Sequence, residues 1–252
     1  MKLELEGKRA LVTGGSKGIG KEIARGLIAE GAKVAICGRD AADLAAAVDD
    51  LKDGGEAWGA PCDVGDKQSY GQWIEAAAGA LGGVDLFVAN ASGLRRDAGE
   101  EDWEISFQVD LMGAVRGARA VLPHMLAAGG GSMVFMSSVA AVETSETPAP
   151  YNALKAALIT YGKQLSQAVA SQGIRVNCVS PGPVEFAGGL WDHARRDMPD
   201  LYRSRVARQP SGRLGTAGEI ADAVAFLLSE RASWINGENL VVDGGFSRRV
   251  AF

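Results

Sequence analysis

The chain has 252 residues, 47% hydrophobic and 23% charged, a mix that supports a sizeable core and excludes a disordered protein. Lys and Arg number 26 against 31 Asp and Glu, for a net charge of -5, and the basic residues are scattered, which argues against nucleic acid as a partner. No apolar run reaches the roughly 18 residues of a membrane span. The start, MKLELEGKRALVTGG, lacks a signal peptide's apolar stretch, so a cytoplasmic protein with no membrane partner is expected.

A first strand is expected over 9–13, followed by a glycine-rich turn and an amphipathic helix. In that helix Ile19, Ile23 and Leu27 recur at i+4 beside Ala24 and Ile28, while Lys21, Glu22 and Arg25 take the other face and Gly31 caps the end. Further strands are expected over 33–37, 56–61, 84–89, 132–137, 174–179 and 239–242, and further helices over 41–51, 69–81, 101–126, 151–171 and 217–228. Most strands carry continuous apolar residues, as strands covered on both faces do. The expectation is a doubly wound α/β fold with about seven parallel strands. No linker, repeat or charge block divides the chain, so a single domain over 1–252 is expected. Only 181–215 breaks the rhythm, and structureless stretches above about 15 residues are uncommon and usually functional. A short helix around 191–196 and a substrate lid at about 183–215 are expected there. Trp191 and Phe186 are candidates to line a pocket, and His193 reads as an exposed polar residue. Cys37, Cys62 and Cys178 are far apart with no CxxC, so neither disulfides nor a metal site is expected.

The turn after the first strand reads Thr13-Gly14-Gly15-Ser16-Lys17-Gly18-Ile19-Gly20. Glycines there let backbone approach a pyrophosphate, and the following helix offers unpaired N–H groups, as in Rossmann dinucleotide sites. At the end of the second strand, Ile36-Cys37-Gly38-Arg39-Asp40, an acid would read the ribose hydroxyls of NAD and an arginine would accommodate the 2′-phosphate of NADP. Gly38 occupies the usual acidic place, so Arg39 with Lys17 favours NADP. Asp40 is either a rival ribose reader, leaving NAD as the alternative, or the N-cap of the next helix.

Carbonyl reduction leaves developing negative charge on oxygen, which needs a proton donor nearby. Tyr151 is a candidate: a phenol ordinarily ionises near pH 10, but an adjacent ammonium favours the phenolate. Lys155 lies at i+4 on the same helix face, and Pro150 suits the first helical position. Ser138, at the end of a strand, can hydrogen-bond the substrate oxygen at the carboxyl edge of the sheet.

These segments resemble the short-chain dehydrogenase/reductase family from about Gly7 onwards, and within it the 3-oxoacyl-carrier-protein reductases. The glycine turn fits TGxxxGxG, Tyr151 to Lys155 fits YxxxK, and Ser138 precedes the tyrosine at the family spacing. The resemblance implies that Asp63 and Val64 lie beside the adenine, Asn90 and Ala91 near the ribose, and Pro181, Gly182 and Val184 in the loop meeting the nicotinamide. It implies that Lys155 holds the nicotinamide ribose, and that the chain is a homotetramer joined through 101–126, 151–171 and the last strand. Asp110 stands where the family has an asparagine in a water relay, Ala89 and Ser92 depart from NNAG, and Phe186 replaces a common threonine. An ionised Asp accepts hydrogen bonds but cannot donate them, which would reverse such a relay.

The expected activity is NADP-dependent reduction of a ketone or 3-oxoacyl thioester, with Tyr151, Lys155, Ser138 and Asp110 at the centre. The alternatives are an NAD-dependent alcohol, hydroxysteroid or polyol dehydrogenase and a non-catalytic dinucleotide-binding regulator.

Overall fold

The computed structural model describes residues 2–94, 99–144, 148–248 and 250. β1 (Arg9–Thr13) lies between β2 (Lys33–Cys37) and β4 (Leu86–Ala89) in a parallel sheet ordered β3-β2-β1-β4-β5-β6-β9. The other members are β3 (Ala57–Gly59), β5 (Gly131–Met136), β6 (Ile174–Pro181) and β9 (Asn239–Val242). Alternate side chains feed two separate cores, the period-2 consequence of pleating. Val12, Ile36, Val88 and Val134 point to one side, where α1 (Gly18–Ala29), α2 (Ala41–Lys52) and α9 (Ala217–Leu228) bring Ile23, Leu27, Leu44, Ile220 and Val224. Leu11, Ala35, Phe87 and Phe135 point to the other. There α3 (Lys67–Leu81), α5 (Gly113–Ala127) and α6 (Pro150–Val169) bring Tyr70, Ile74, Val121 and Leu158. The doubly wound α/β fold expected from the apolar runs is the one found. No helix among the described residues is long and apolar enough to cross a membrane.

The order reverses between β1 and β4, since the chain first builds outward through β2 and β3 and then returns to the other side of β1. Such a switch point opens a crevice at the carboxyl ends of the strands. Thr13 pins it: its Oγ1 accepts from the N–H groups of Asn90 (3.0 Å) and Ala91 (3.1 Å) and donates to Val88 O (3.3 Å).

Three expectations need correction. The helix expected over 101–126 is three pieces: α4 (Glu100–Ser106), a π-helical segment (Phe107–Met112) and α5. The wider turn carries Asp110 into the interior, and such bulges occur frequently at functional sites. The excursion after β6 is also more ordered than a loop with one short helix. Pro183 O accepts from Gly215 N, β7 (Val184–Glu185) pairs with β8 (Gly215–Thr216), and α7 (Leu190–Asp197) is followed by α8 (Pro199–Ala207). Pro199 starts α8 because its missing N–H costs nothing at a first helical position. Trp191, Ala194 and Leu214 form a small core under these helices with Leu190, Tyr202 and Val206 against it. Strand ends also move. β3 is shorter than 56–61, an edge strand whose continuation reaches Pro61, which has no N–H to donate. β6 runs on to Pro181 because β9 pairs with Cys178–Pro181.

Candidate active site

The glycine turn is held by contacts that leave no room for side chains. A Cβ on Gly20 would lie 2.2 Å from Gly14 O and 2.4 Å from Asn90 Nδ2, and Gly14 and Gly18 have φ of +65° and +57°. Asn90 Nδ2 donates to Thr13 O (2.9 Å) and Gly14 O (3.1 Å), and Gly15 N donates to Cys37 O (3.0 Å). Asn90 thus braces the turn from β4, a structural role beside the ribose contact that the resemblance implies. The turn ends at the N-terminus of α1, which together with the bare glycine backbone fits the pyrophosphate of a dinucleotide.

At the end of β2, a Cβ on Gly38 would lie 2.8 Å from Ser16 Oγ, so a side chain there would press on the turn. Asp40 Oδ1 accepts from Asp43 N at 2.8 Å, which makes Asp40 the N-cap of α2. Arg39 is exposed beside it, and Lys17 is exposed with Nζ 3.9 Å from Asp43 Oδ2. Asp63 is exposed, its Oδ1 accepting from Gly65 N (2.8 Å), and Val64 is buried under α3 and α5.

The crevice, about 1330 Å³, is lined by Lys17, Ile19, Gly20 and Asn90 at one end and by Ser138, Tyr151 and Lys155 in the middle. That exceeds what one drug-sized ligand fills and leaves room for a dinucleotide and a substrate together. Pro181, Gly182, Val184 and Phe186 line it as well. Gly182 donates to Val242 O (2.9 Å), and a Cβ there would lie 2.7 Å from the Cβ of Asp243, so this turn packs too tightly for any other residue. The Phe186 ring lies against Gly18 and Gly189, where Cβ atoms would come within 2.6 Å and 2.7 Å of it.

Pro150 opens α6 at its first turn, which puts Tyr151 on the crevice and Lys155 one turn deeper. Ser138 leads a 3₁₀ turn (Val139–Ala141), its Oγ accepting from Ala140 N at 3.1 Å. Lys155, only 2% exposed, donates to Met136 O (2.9 Å), and its Nζ is 5.6 Å from the centre of the Tyr151 ring. Behind it stands Asp110, also 2% exposed, with Oδ1 at 3.1 Å from the same ammonium. Asp110 also accepts from Ser92 Oγ (2.5 Å) and Gly93 N (3.2 Å). Taking two charges out of water costs several kcal/mol for each ion, which mutual attraction offsets only when the remaining polar atoms are hydrogen-bonded as well, as they are here. Asp110 is not among the residues that line the crevice; it meets it through Lys155 and Ser92, which do.

Sequence reasoning found the Ser138, Tyr151 and Lys155 set and the cradle, but took Ser92 only as a departure from the family pattern. Its hydroxyl completes the Asp110 site. His193 is exposed on α7 with Nδ1 2.8 Å from Arg196 Nη2, away from the crevice lining. Leu201, Ser204, Arg205, Arg208 and Phe246 also line the crevice and were not foreseen.

A model of the family described as enoyl-(acyl carrier protein) reductase matches residues 14–247. The chain is 39% identical over 248 residues to the 3-oxoacyl-[acyl-carrier-protein] reductase of Escherichia coli, covering 96% of this chain and 98% of that protein. It is 35% identical over 248 residues to the isoepoxydon dehydrogenase of Penicillium expansum, covering 96% and 95%. Among solved structures, the L-sorbose reductase of Gluconobacter frateurii, complexed with NADPH and L-sorbose, superposes with a TM-score of 0.93 at 31% identity, covering 99% of this chain and 100% of that one. With a shared fold and matches along nearly the whole length, the chain belongs to the short-chain dehydrogenase/reductase family and is an oxidoreductase of alcohols and carbonyls that uses a nicotinamide dinucleotide.

Proposed function

We propose that this enzyme works with NADP(H) in preference to NAD(H) and reduces a ketone or a 3-oxoacyl thioester, with Tyr151 as the proton donor and Ser138 as the ligand of the substrate oxygen. The observation that carries the reading is the convergence of Tyr151, Lys155 and Ser138 on one crevice that ends in the glycine cradle. Bound in the cradle, the dinucleotide supplies the hydride. Gly14, Ser16, Lys17, Gly18, Ile19 and Gly20 hold its phosphates, Asp63, Val64, Asn90 and Ala91 its adenosine half, and Pro181, Gly182 and Val184 its nicotinamide half.

Tyr151 hands its phenolic proton to the carbonyl oxygen as negative charge builds there, and the Ser138 hydroxyl donates a second hydrogen bond to the same oxygen. Lys155 holds the nicotinamide ribose and favours the phenolate left on Tyr151. Asp110 acts as a positioning residue: it fixes the Lys155 ammonium and offsets part of its charge. The segment 183–215 serves as the substrate lid.

The preference for NADP rests on the second strand. Asp40 is engaged as a helix cap, Gly38 offers no acid, and Arg39 and Lys17 are exposed at the end of the second strand and in the glycine turn. Titration with NADPH and NADH, followed by nicotinamide fluorescence, tests this. NADPH should bind more tightly in the wild type and lose that advantage in Arg39→Ala; tighter NADH binding indifferent to Arg39 would return the reading to NAD-linked alcohol oxidation. We further propose a cytoplasmic homotetramer. Trp103, Phe107 and Leu126 are 41%, 39% and 45% exposed on the two outer helices and the segment between them, and Trp234 is 98% exposed before the last strand, apolar area suited to subunit contacts. Light scattering giving a monomer at micromolar concentration would refute it.

A further inference from the structure

α8 turns the wrong face to the crevice for a helix that only covers a pocket. Leu201, Ser204, Arg205 and Arg208 follow i, i+3, i+4, i+7 spacing, the pattern of one helix face, and all four line the crevice. The apolar positions Tyr202 and Val206 instead pack on the small core beneath. Arg205 is half-buried and Arg208 exposed, and both guanidinium groups lie against aromatic rings of the crevice. Arg205 Cζ is 5.0 Å from the centre of the Trp191 ring and 5.2 Å from that of Phe246, and Arg208 Cζ is 4.8 Å from that of Phe246. Aromatic faces hold guanidinium groups without occupying their N–H donors.

The charges around them sharpen the point. Near Arg208, Arg195 is matched to Glu185 and Asp192, Arg196 to Asp192, and Arg203 to Asp200. Among the described residues no carboxylate forms an ion pair with Arg208. Glu143, a carboxylate that also lines the crevice, accepts from the backbone N–H of Arg248 at 2.9 Å.

We infer that Arg205 and Arg208 form an anion site at the substrate end of the crevice, and that the preferred substrate carries a carboxylate or phosphate group remote from its reacting carbonyl. Guanidinium groups recognise both anions through paired, charge-assisted hydrogen bonds. This rests on the reading of the Tyr151 crevice as the carbonyl site and adds the class of compound that enters it.

Binding to the NADP⁺-loaded enzyme by calorimetry tests the anion site without requiring turnover. The probes are 4-oxopentanoate and its methyl ester, which share the ketone and differ in charge and by one methyl group. The acid should bind about tenfold more tightly than the ester, and Arg208→Gln or Arg205→Gln should shrink that ratio to less than about threefold, with Arg208→Lys restoring part of it. A role confined to complementing the end of α8 would lower stability and leave the ratio alone. Equal binding of the two probes in the wild type, or a ratio unmoved in both glutamine variants, overturns the inference.

Acetoacetyl-CoA and acetoacetyl-pantetheine, compared in the same variants, separate the two sources of the anion. A loss confined to the CoA thioester assigns the site to the phosphates of a carrier arm. A loss confined to the oxo acid assigns it to a free carboxylate. Absence of NADPH or NADH oxidation with any of these carbonyls would count against the proposed reaction, while the calorimetric ratio would still decide the anion site.

Discussion

The two walls of the crevice are built on opposite principles. The cradle wall is made mainly of backbone: Gly20 approaches Gly14 and Asn90 so closely that a single added methyl meets a carbonyl oxygen and an amide nitrogen, and one on Gly18 would meet the Phe186 ring. The wall of α7 and α8 is made of side chains, held by exposed ion pairs, cation–aromatic contacts and a core of a few residues. Exposed ion pairs contribute about 1 kcal/mol or less each. The first wall suits the part of a ligand that is constant across the family, and the second the part that differs between relatives. Between them lies the charged centre, whose buried pair shares the rigidity of the first wall.

If chemistry is concentrated at that centre, Tyr151→Phe should lower turnover by about 10²- to 10⁴-fold while dinucleotide affinity stays within a few-fold, read from NADPH oxidation and fluorescence titration; retained turnover would remove Tyr151 from the reaction. Asp110→Leu leaves the Lys155 ammonium buried without its counter-ion and should cost about 3–5 kcal/mol in denaturant unfolding. The milder Asp110→Asn isolates the charge. With the negative group gone and its shape kept, kcat should change while the unfolding midpoint stays closer to wild type than in Asp110→Leu, a split that a merely structural role would not produce.

Gly20→Ala tests the stiffness of the cradle. Its new methyl has only backbone and Asn90 to push against, and it should destabilise the protein by about 1–3 kcal/mol and weaken dinucleotide binding in the same titration. The smallest effect is expected where the excursion rejoins α9. There Glu219 completes a capping box with Thr216 and pairs with Arg213. That hydrogen bond to Arg213, with further ones from Thr216, lowers its carboxyl to about 2 from an ordinary 4.5. Because the folded value is depressed, its contribution is complete above about pH 4.5 and is lost as the pH falls through about 2. The side chain is 44% exposed, so solvent screening keeps the contribution at about 1 kcal/mol or less. Glu219→Gln should therefore lower the urea midpoint slightly at pH 7 and not at pH 2; an equal difference at both would assign the effect to shape instead of charge.

Much of this was legible in the residues because the physics is local. Apolar runs of β1, β2 and β4 mark strands covered on both sides, glycines mark the cradle, and the i+4 spacing of Tyr151 and Lys155 puts both on one helix face. The Asp110 pair was not legible. Periodicity reads 101–126 as one helix, and a single extra residue in a turn leaves no compositional trace. α8 escaped for a related reason: one face packs Tyr202 and Val206 on the small core while the other carries Leu201 and Ser204 beside two arginines, so no clear apolar stripe emerges. Ser92 and Asp110 meet across 18 positions of sequence, a pairing that only the tertiary fold creates.

The π-helical turn at Phe107–Met112 also bears on how the chain's length can vary. A turn of this kind holds one residue more than an α-helical turn needs, so deleting a single residue from it would let the backbone close into a regular helix with its hydrogen bonds intact. The turn already absorbs that residue within about one revolution, so the deletion would leave Trp103 on one side and α5 on the other near their present headings. What would change is the interior, where the widened backbone that carries Asp110 to Lys155 would be gone. This segment is thus a place in sequence space where one residue of length is neutral for the outer surface and decisive for the buried pair.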